Sequence, residues 1–455
     1  MNVRTLVTGY RDTLVHRLGK LVSIKSVEGK PYPDAPFGLA PKAALETALN
    51  MLREDRFKTV NLDNYCGYAE YGQGDQVIGI IGHLDVVPAS REDGWNTDPF
   101  CMTEKDGVLY GRGVSDDKGA IVASMIALNV LRDLQVPVNK RIRLIMGCNE
   151  ETGSRCLKHY VEKEGHVDFG FTPDGSFPGV HGEKGMISAV YRSENSRLLD
   201  IYGGSAKNIV CPRCTVKTMR NCYSSKKLAD FFNNNSIEYS VEELEDGDVI
   251  TVYGKAAHAS TPELGINAIS WLLVGLKEAG IQDPFVDFYC SRFGLATDGS
   301  GLNIKLADEF GELTLSNGII SMSQDGIIQG TTDIRFPVTM TAKAVLKAMA
   351  LKMEDAGGSV EIVNTVEPLF FPMDSQLVSS LFDAYSEVTG DTIHRPETIG
   401  GGTYAKSIHN TIAFGCAFPG KDYHIHDANE WVGIDELLLQ AEIYVHALIK
   451  LLEIE

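Results

Sequence analysis

No stretch of the 455-residue chain reaches the roughly 18 uninterrupted apolar residues that a bilayer-spanning helix needs, so no membrane span is expected. The opening Met1-Asn2-Val3-Arg4 lacks the apolar core and cleavage site of a secretory leader, and a cytoplasmic protein is the expectation. Positive charge is scarce. Lys and Arg number 42 against 61 Asp and Glu, a formal net charge of −19. Nucleic acid and anionic membrane both require basic patches, so neither is an expected partner. A disulfide framework is also missing, because nine cysteines, an odd number, are scattered through a large chain and read as reduced thiols. Cys211-Pro212-Arg213-Cys214 is the one Cys-x-x-Cys. Without a second such pair or a βαβ context it reads as two incidental thiols in a loop. Short-period repeats and low-complexity tracts are absent as well.

What is present begins with length, which is more than one core usually serves and points to two or more domains. The apolar run from Val77 to Ile81 reads as a fully buried strand of a parallel sheet, ending in His83-Leu84-Asp85 and stopped by Pro88. Ligands of open α/β sheets bind beyond the carboxyl ends of the strands, so His83 and Asp85 stand where chemistry is expected. Taken alone, the pair reads equally well as a hydrogen-bonded strand end.

Helical spacing predicts a helix over 5–22 and another over about 41–56, with a Pro- and Gly-rich loop between them. An apolar helix is expected over about 120–134, a strand over 142–147 and a short strand over 168–171, a βα alternation that implies a parallel-type sheet. Near Gly185 the texture becomes β-rich, with helices expected at about 262–279 and 341–356, a strand ending at Asp333-Ile334-Arg335-Phe336-Pro337 and another over 359–365. Helical patterning returns after Ser375, Gly400-Gly401-Gly402-Thr403 opens a short helix, and a final helix runs over about 434–452. The reading is an α/β catalytic domain with a mixed, mostly parallel sheet flanked by helices (residues 1–185 and 375–455), interrupted by an inserted α+β lid domain (186–374).

Four strand ends carry metal-type ligands: His83, Asp116 or Asp117, Glu150 or Glu151, and Asp174. The late cluster His424-Ile425-His426-Asp427 adds a fifth. Each has an ordinary reading as a cap or turn residue. Gathered at one sheet edge, the carboxylates repel one another unless protons or cations offset their charge. Mixed imidazole and carboxylate donors suit Zn²⁺, Mn²⁺ or Co²⁺ better than Ca²⁺, and five such groups suit two ions. Of the adjacent Glu150 and Glu151, one can bind metal while the other takes a proton from water. Asp85, two residues from an imidazole ligand, can orient it.

The segments GHLDVVP, GRGVSDDKGA, NEETGS, TPDGSFP and HDANE, in that order, resemble the motif set of the dinuclear zinc metallopeptidases that include aminoacylases, glutamate carboxypeptidase and PepV-type dipeptidases. The resemblance covers the whole chain. It implies that His83, Asp116, Glu151, Asp174 and His426 bind two divalent ions, Zn or Mn, with Asp116 bridging. It also implies that Glu150 is the general base and acid and that Asp85 orients the imidazole. The family patterns Asp-x-Lys-Gly and His-x-x-Asn-Glu are what select Asp116 over Asp117 and His426 over His424.

Lys255-Ala256-Ala257-His258-Ala259-Ser260-Thr261-Pro262 resembles the family's lid segment, which implies that His258 is an oxyanion donor and Asn208 a second donor. The Asn208 match departs from the family pattern by the extra Cys211 before Pro212. Arg335 can take a substrate carboxylate in bidentate fashion, or stand as a surface strand arginine. A lid of ~180 residues, larger than one small module needs, resembles that of the PepV-type dipeptidases. The implied activity is hydrolysis of unblocked dipeptides by a monomer, with a small peptide as the binding partner. The rivals are an N-acyl amino acid amidohydrolase of the aminoacylase or succinyl-diaminopimelate desuccinylase type, and a non-catalytic metal- or peptide-binding relative.

Overall fold

The computed structural model describes residues 2–454. The chain folds as two compact units. The first unit comprises the chain up to Gly182, Phe371–Glu397, and the chain from Gly402 onward; the second comprises Glu183–Phe370 and Thr398–Gly401. The sequence reading leaves 398–401 with the first domain. They pack with the second because the Ile399 carbonyl accepts from the Lys184 N–H at 2.9 Å and the Gly400 carbonyl accepts from Arg335 at 2.9 Å.

In the first unit the strands lie in the order Lys58–Leu62, Cys66–Gly72, Arg141–Gly147, Val77–His83, Phe169–Thr172 and Thr411–Ala413. The last four are mutually parallel, while Lys58–Leu62 and Cys66–Gly72 add antiparallel pairs at one side. The sheet is therefore mixed, with its parallel part at the centre. All seven residues of Val77–His83 are buried, as a strand covered on both faces requires.

Helix Lys118–Asp133 is buried without a break from Lys118 to Leu131, because it packs against the final helix Ile434–Leu452 as well as against Arg11–Val22 and the sheet. An all-round apolar helix has no other place to go. Its Lys118 Nζ is buried with it and donates to the Leu21 and Ile24 carbonyls at 2.9 and 2.8 Å.

The second unit is a nine-stranded antiparallel sheet with helices on it. Gly185–Ser193 alternates buried and half-buried residues, so one sheet face packs on the helices and the other meets solvent. Helices Ser225–Asn234 and Pro284–Arg292 have no counterpart in the sequence reading. Both carry legible start signals, since the Ser224 and Asp283 side chains accept the N–H groups of Lys227 and Val286, and Pro284 opens its helix.

Several expected boundaries move. The helix over 5–22 breaks at Tyr10 into Val3–Gly9 and Arg11–Val22, after a glycine that weakens it. The helix expected over 262–279 starts at Ala268. The Asn267 side chain caps it, and Gly265 upstream is extended. The helix expected over 341–356 ends at Met349 and tightens into Ala350–Lys352, after which Glu354–Asp355 turns back to pair with Gly358 and Ser359. The short helix after Gly402 is a single tight turn, Tyr404–Lys406, capped by Thr403. Cys211 and Cys214 are buried, and Cys214 lies in the strand Arg213–Thr218 rather than in a loop. All nine cysteines are unpaired thiols.

Candidate metal centre

His83 and Gly147 are register partners at the ends of adjacent parallel strands, and Phe169–Thr172 runs parallel beside them. The turns holding Glu150, Glu151 and Asp174 therefore leave the sheet at the same edge as His83. Asp116 lies just before the buried helix Lys118–Asp133, whose N-terminal dipole favours negative charge there.

The side chains converge within the first unit. His83 Nε2 lies 2.9 Å from Asp116 Oδ1 and 3.8 Å from Asp174 Oδ2. His426 Nε2 lies 3.0 Å from Asp116 Oδ2 and 3.1 Å from Glu151 Oε2. Asp116 thus turns one carboxylate oxygen toward each imidazole. Two sets, His83–Asp116–Glu151 and His83–Glu150–Asp174, bring one donor atom each within 4.8 Å of one another. His83 and Asp116 are buried, whereas the His426 side chain is 52% exposed, so the cluster is reached from solvent on the His426 side.

Electrostatics show why such a cluster needs cations. Burial, reinforced by Asp116, pushes the Asp174 carboxyl up to about 7, and burial with Asp174 beside it pushes Glu150 well above the ordinary glutamate range. Burial acts to lower His426, but its hydrogen bonds to Asp116 and Glu151 outweigh it and raise the ring to about 11. Burial acts to raise Asp116, yet the hydrogen bonds to His426 and His83 bring it far below the usual carboxylate range. The His83 Nδ1–H donates to the Asp85 carbonyl at 2.9 Å, so with a neutral ring the Nε2 lone pair faces Asp116. An imidazole lone pair against a carboxylate oxygen is acceptor against acceptor, and only a proton or a cation resolves it. The donor set therefore fits divalent ions of the Zn or Mn type, which displace those protons.

Asp85 acts in two directions. Its carbonyl takes the His83 Nδ1–H, and its carboxylate stands 3.6 Å from the same nitrogen. That carboxylate accepts the Glu150 N–H at 3.0 Å and the Glu151 N–H at 3.2 Å, so it also holds the turn that presents both glutamates.

Three residues without an assigned role in the sequence reading, Asp117, Arg112 and Glu430, complete the frame. Asp117 turns away from Asp116 and accepts the His83 backbone N–H at 2.9 Å. Gly82 leaves room for that contact, since a Cβ there would sit 2.3 Å from Asp117 Oδ2. Glu430 is fully buried, accepts from Arg112 Nη1 at 2.7 Å, and takes the N–H groups of Gly113, Ser115 and Asp116. Arg112 Nη2 also donates to the His426 and Asp427 carbonyls at 3.1 and 3.2 Å. A buried Arg–Glu pair is offset against its desolvation only when its remaining hydrogen-bonding groups are used, as most are here. This pair ties the loop bearing Asp116 to the loop bearing His426. Its sequence signals are the arginine of GRGVSDDKGA and the glutamate that ends HDANE.

The remaining three candidates lie in the second unit. Ile209 and His258 form a β-bridge, and the Asn208 carbonyl accepts the Ala259 N–H at 2.9 Å, so Asn208 and His258 are neighbours in space. Arg335 is buried and donates through Nε and Nη2 to Asp333 at 2.6 and 2.9 Å.

Residues 79–450 match the model of peptidase family M20/M25/M40. A Bacillus subtilis (strain 168) protein named "Putative dipeptidase YtjP" is 32% identical over 471 residues, which cover 99% of this chain and 100% of that protein. A similarly named Staphylococcus saprophyticus protein is 31% identical, over 98% of this chain and 99% of its own length. Among solved structures, human carnosine dipeptidase 1 superposes with a TM-score of 0.61 at 18% identity, covering 99% of this chain and 98% of that one. Aminoacylhistidine dipeptidase from Vibrio alginolyticus gives 0.54 at 14%, covering 97% and 96%. At these identities the superpositions speak for the fold.

Proposed function

The chain belongs to peptidase family M20/M25/M40, and from that premise we propose that it is a dipeptidase that hydrolyses unblocked dipeptides with two divalent metal ions. The observation that carries this reading is Asp116, with one oxygen toward His83 and the other toward His426. His83, Asp116 and Asp174 would hold one ion and Asp116, Glu151 and His426 the other. Ions of this kind, Zn or Mn, supply Lewis acidity toward a carbonyl oxygen and make water acidic enough to lose a proton near neutrality.

The chain's own groups do the proton work. Glu150, which is not among the proposed ligands, takes the proton of the attacking water and passes it to the leaving nitrogen as the C–N bond breaks. Asp85 keeps that carboxylate in place through the Glu150 N–H. Asn208 and His258 are proposed to donate to the carbonyl oxygen as it becomes an oxyanion, and Arg335 to take the substrate's C-terminal carboxylate. We further propose that the enzyme works as a monomer in the cytoplasm, a compartment in which nine unpaired thiols persist. Among the described residues, no helix is long and apolar enough to cross a membrane.

Substrate choice is tested by comparing kcat/KM for an unblocked dipeptide, its N-acetyl form and an N-succinyl amino acid. The unblocked dipeptide is expected to exceed both by ~10²-fold or more, since a site that selects a free amine leaves the partners of that amine unpaired when an amide replaces it. Faster turnover of either acylated compound would replace the dipeptidase with an N-acyl amidohydrolase.

A further inference from the structure

Ser260 makes two contacts with one nitrogen of His258. Its backbone N–H donates to His258 Nδ1 at 3.2 Å, and its Oγ lies 2.7 Å from the same Nδ1. A peptide N–H can only donate, so Nδ1 is the acceptor, the Ser260 hydroxyl donates to it as well, and the neutral ring carries its proton on Nε2. We infer that Ser260 is a positioning residue that holds His258 in the Nε2–H tautomer, and that position 400 is glycine because Ser260 occupies the space of its side chain. The inference rests on the reading of His258 as an oxyanion donor, a role that a neutral imidazole fills only with the nitrogen bearing its proton.

The surrounding contacts give Ser260 a fixed base. A Cβ at Gly400 would lie 2.4 Å from the Ser260 Cβ and 3.1 Å from its Oγ, so the two backbones approach as closely as they do only because residue 400 has no side chain. Thr314 Oγ1 donates to the Ser260 carbonyl at 3.4 Å, and Thr314 is the register partner of Arg335 in the antiparallel sheet. The Gly400 carbonyl in turn accepts from Arg335 Nη1, whose other nitrogens are held by Asp333. His258 and Arg335, proposed to meet the scissile carbonyl and the C-terminal carboxylate of the substrate, are thus fixed through one chain of contacts within the second unit: Asp333, Arg335, Gly400, Ser260, His258.

The test has a spectroscopic arm and a kinetic arm. In ¹⁵N-histidine-labelled full-length protein, with the His258 ring assigned by its loss in His258→Gln, Nε2 is expected to be pyrrole-like and Nδ1 pyridine-like. Ser260→Ala keeps the backbone N–H but loses the shorter hydroxyl contact, and is expected to admit a measurable Nδ1–H population beside the Nε2–H form. The reverse pattern in the wild type, or an unmixed Nε2–H ring in Ser260→Ala, overturns the inference whether or not the protein cleaves dipeptides. In the kinetic arm, Ser260→Ala lowers kcat on an unblocked dipeptide by ~tenfold with KM changed less than about twofold, the pattern of an interaction made in the transition state. Ser260→Thr, which keeps the hydroxyl, restores kcat, and Gly400→Ala reproduces the loss. An unchanged kcat in Ser260→Ala, or a loss that appears in KM instead, contradicts the positioning role.

Discussion

Glu150→Gln is expected to lower kcat by ~10²–10⁴-fold, the range spanned by removal of a general acid–base group, while metal content stays at the wild-type level. The substitution keeps shape and hydrogen-bonding reach but removes the ability to take a proton. Its backbone N–H still meets Asp85, so the turn stays in place. The metal donors named for the two ions do not include this side chain, which separates the loss of turnover from the loss of metal. Elemental analysis and kcat on the same preparation decide the matter. Near-native turnover would remove Glu150 as the base, and lost metal would make it a ligand.

Asp116→Ala has the other large effect, and it falls on metal first. One carboxylate serves both imidazoles, so its removal strips a donor from both proposed ions at once. Its loss also removes the carboxylate that both Nε2 atoms face, leaving His426 with Glu151 alone. Both ions are expected to be lost on dialysis, and activity to fall by ~10³-fold or more, the several kcal/mol that metal-assisted charge stabilisation contributes. Asp174→Ala and Glu151→Ala touch one ion each and are expected to retain the other. Equal metal content in Asp116→Ala and the wild type would contradict a shared carboxylate.

Much of this arrangement was legible because the chemistry sits at strand ends. A buried run ending in His83 and Asp85, and a second ending in Glu150 and Glu151, point to one edge as soon as the strands are taken as parallel. The helix N-terminus following Asp116 and Asp117 did not say which aspartate faces the cluster. In space the two diverge, one toward the imidazoles and one toward the His83 N–H.

The supporting contacts were illegible for a different reason. Arg112 meets Glu430 across 318 residues, and no local period reports a pairing at that separation. Thr411–Ala413 joins the sheet beside Phe169–Thr172, a placement that depends on tertiary packing rather than on three residues of pattern. The tautomer of His258 rests on the hydroxyl and the backbone N–H of a residue two positions away. In the helices, the interruption at Tyr10 escaped because apolar spacing continues through it while the backbone does not.

The most direct test of a metal-dependent dipeptidase is release of free amino acids from an unblocked dipeptide by chelator-stripped protein, with and without added Zn²⁺ or Mn²⁺. The stripped protein is expected to be inactive and either ion to restore cleavage. Cleavage that persists undiminished after the metal is removed, or that neither ion restores in folded protein, would contradict it.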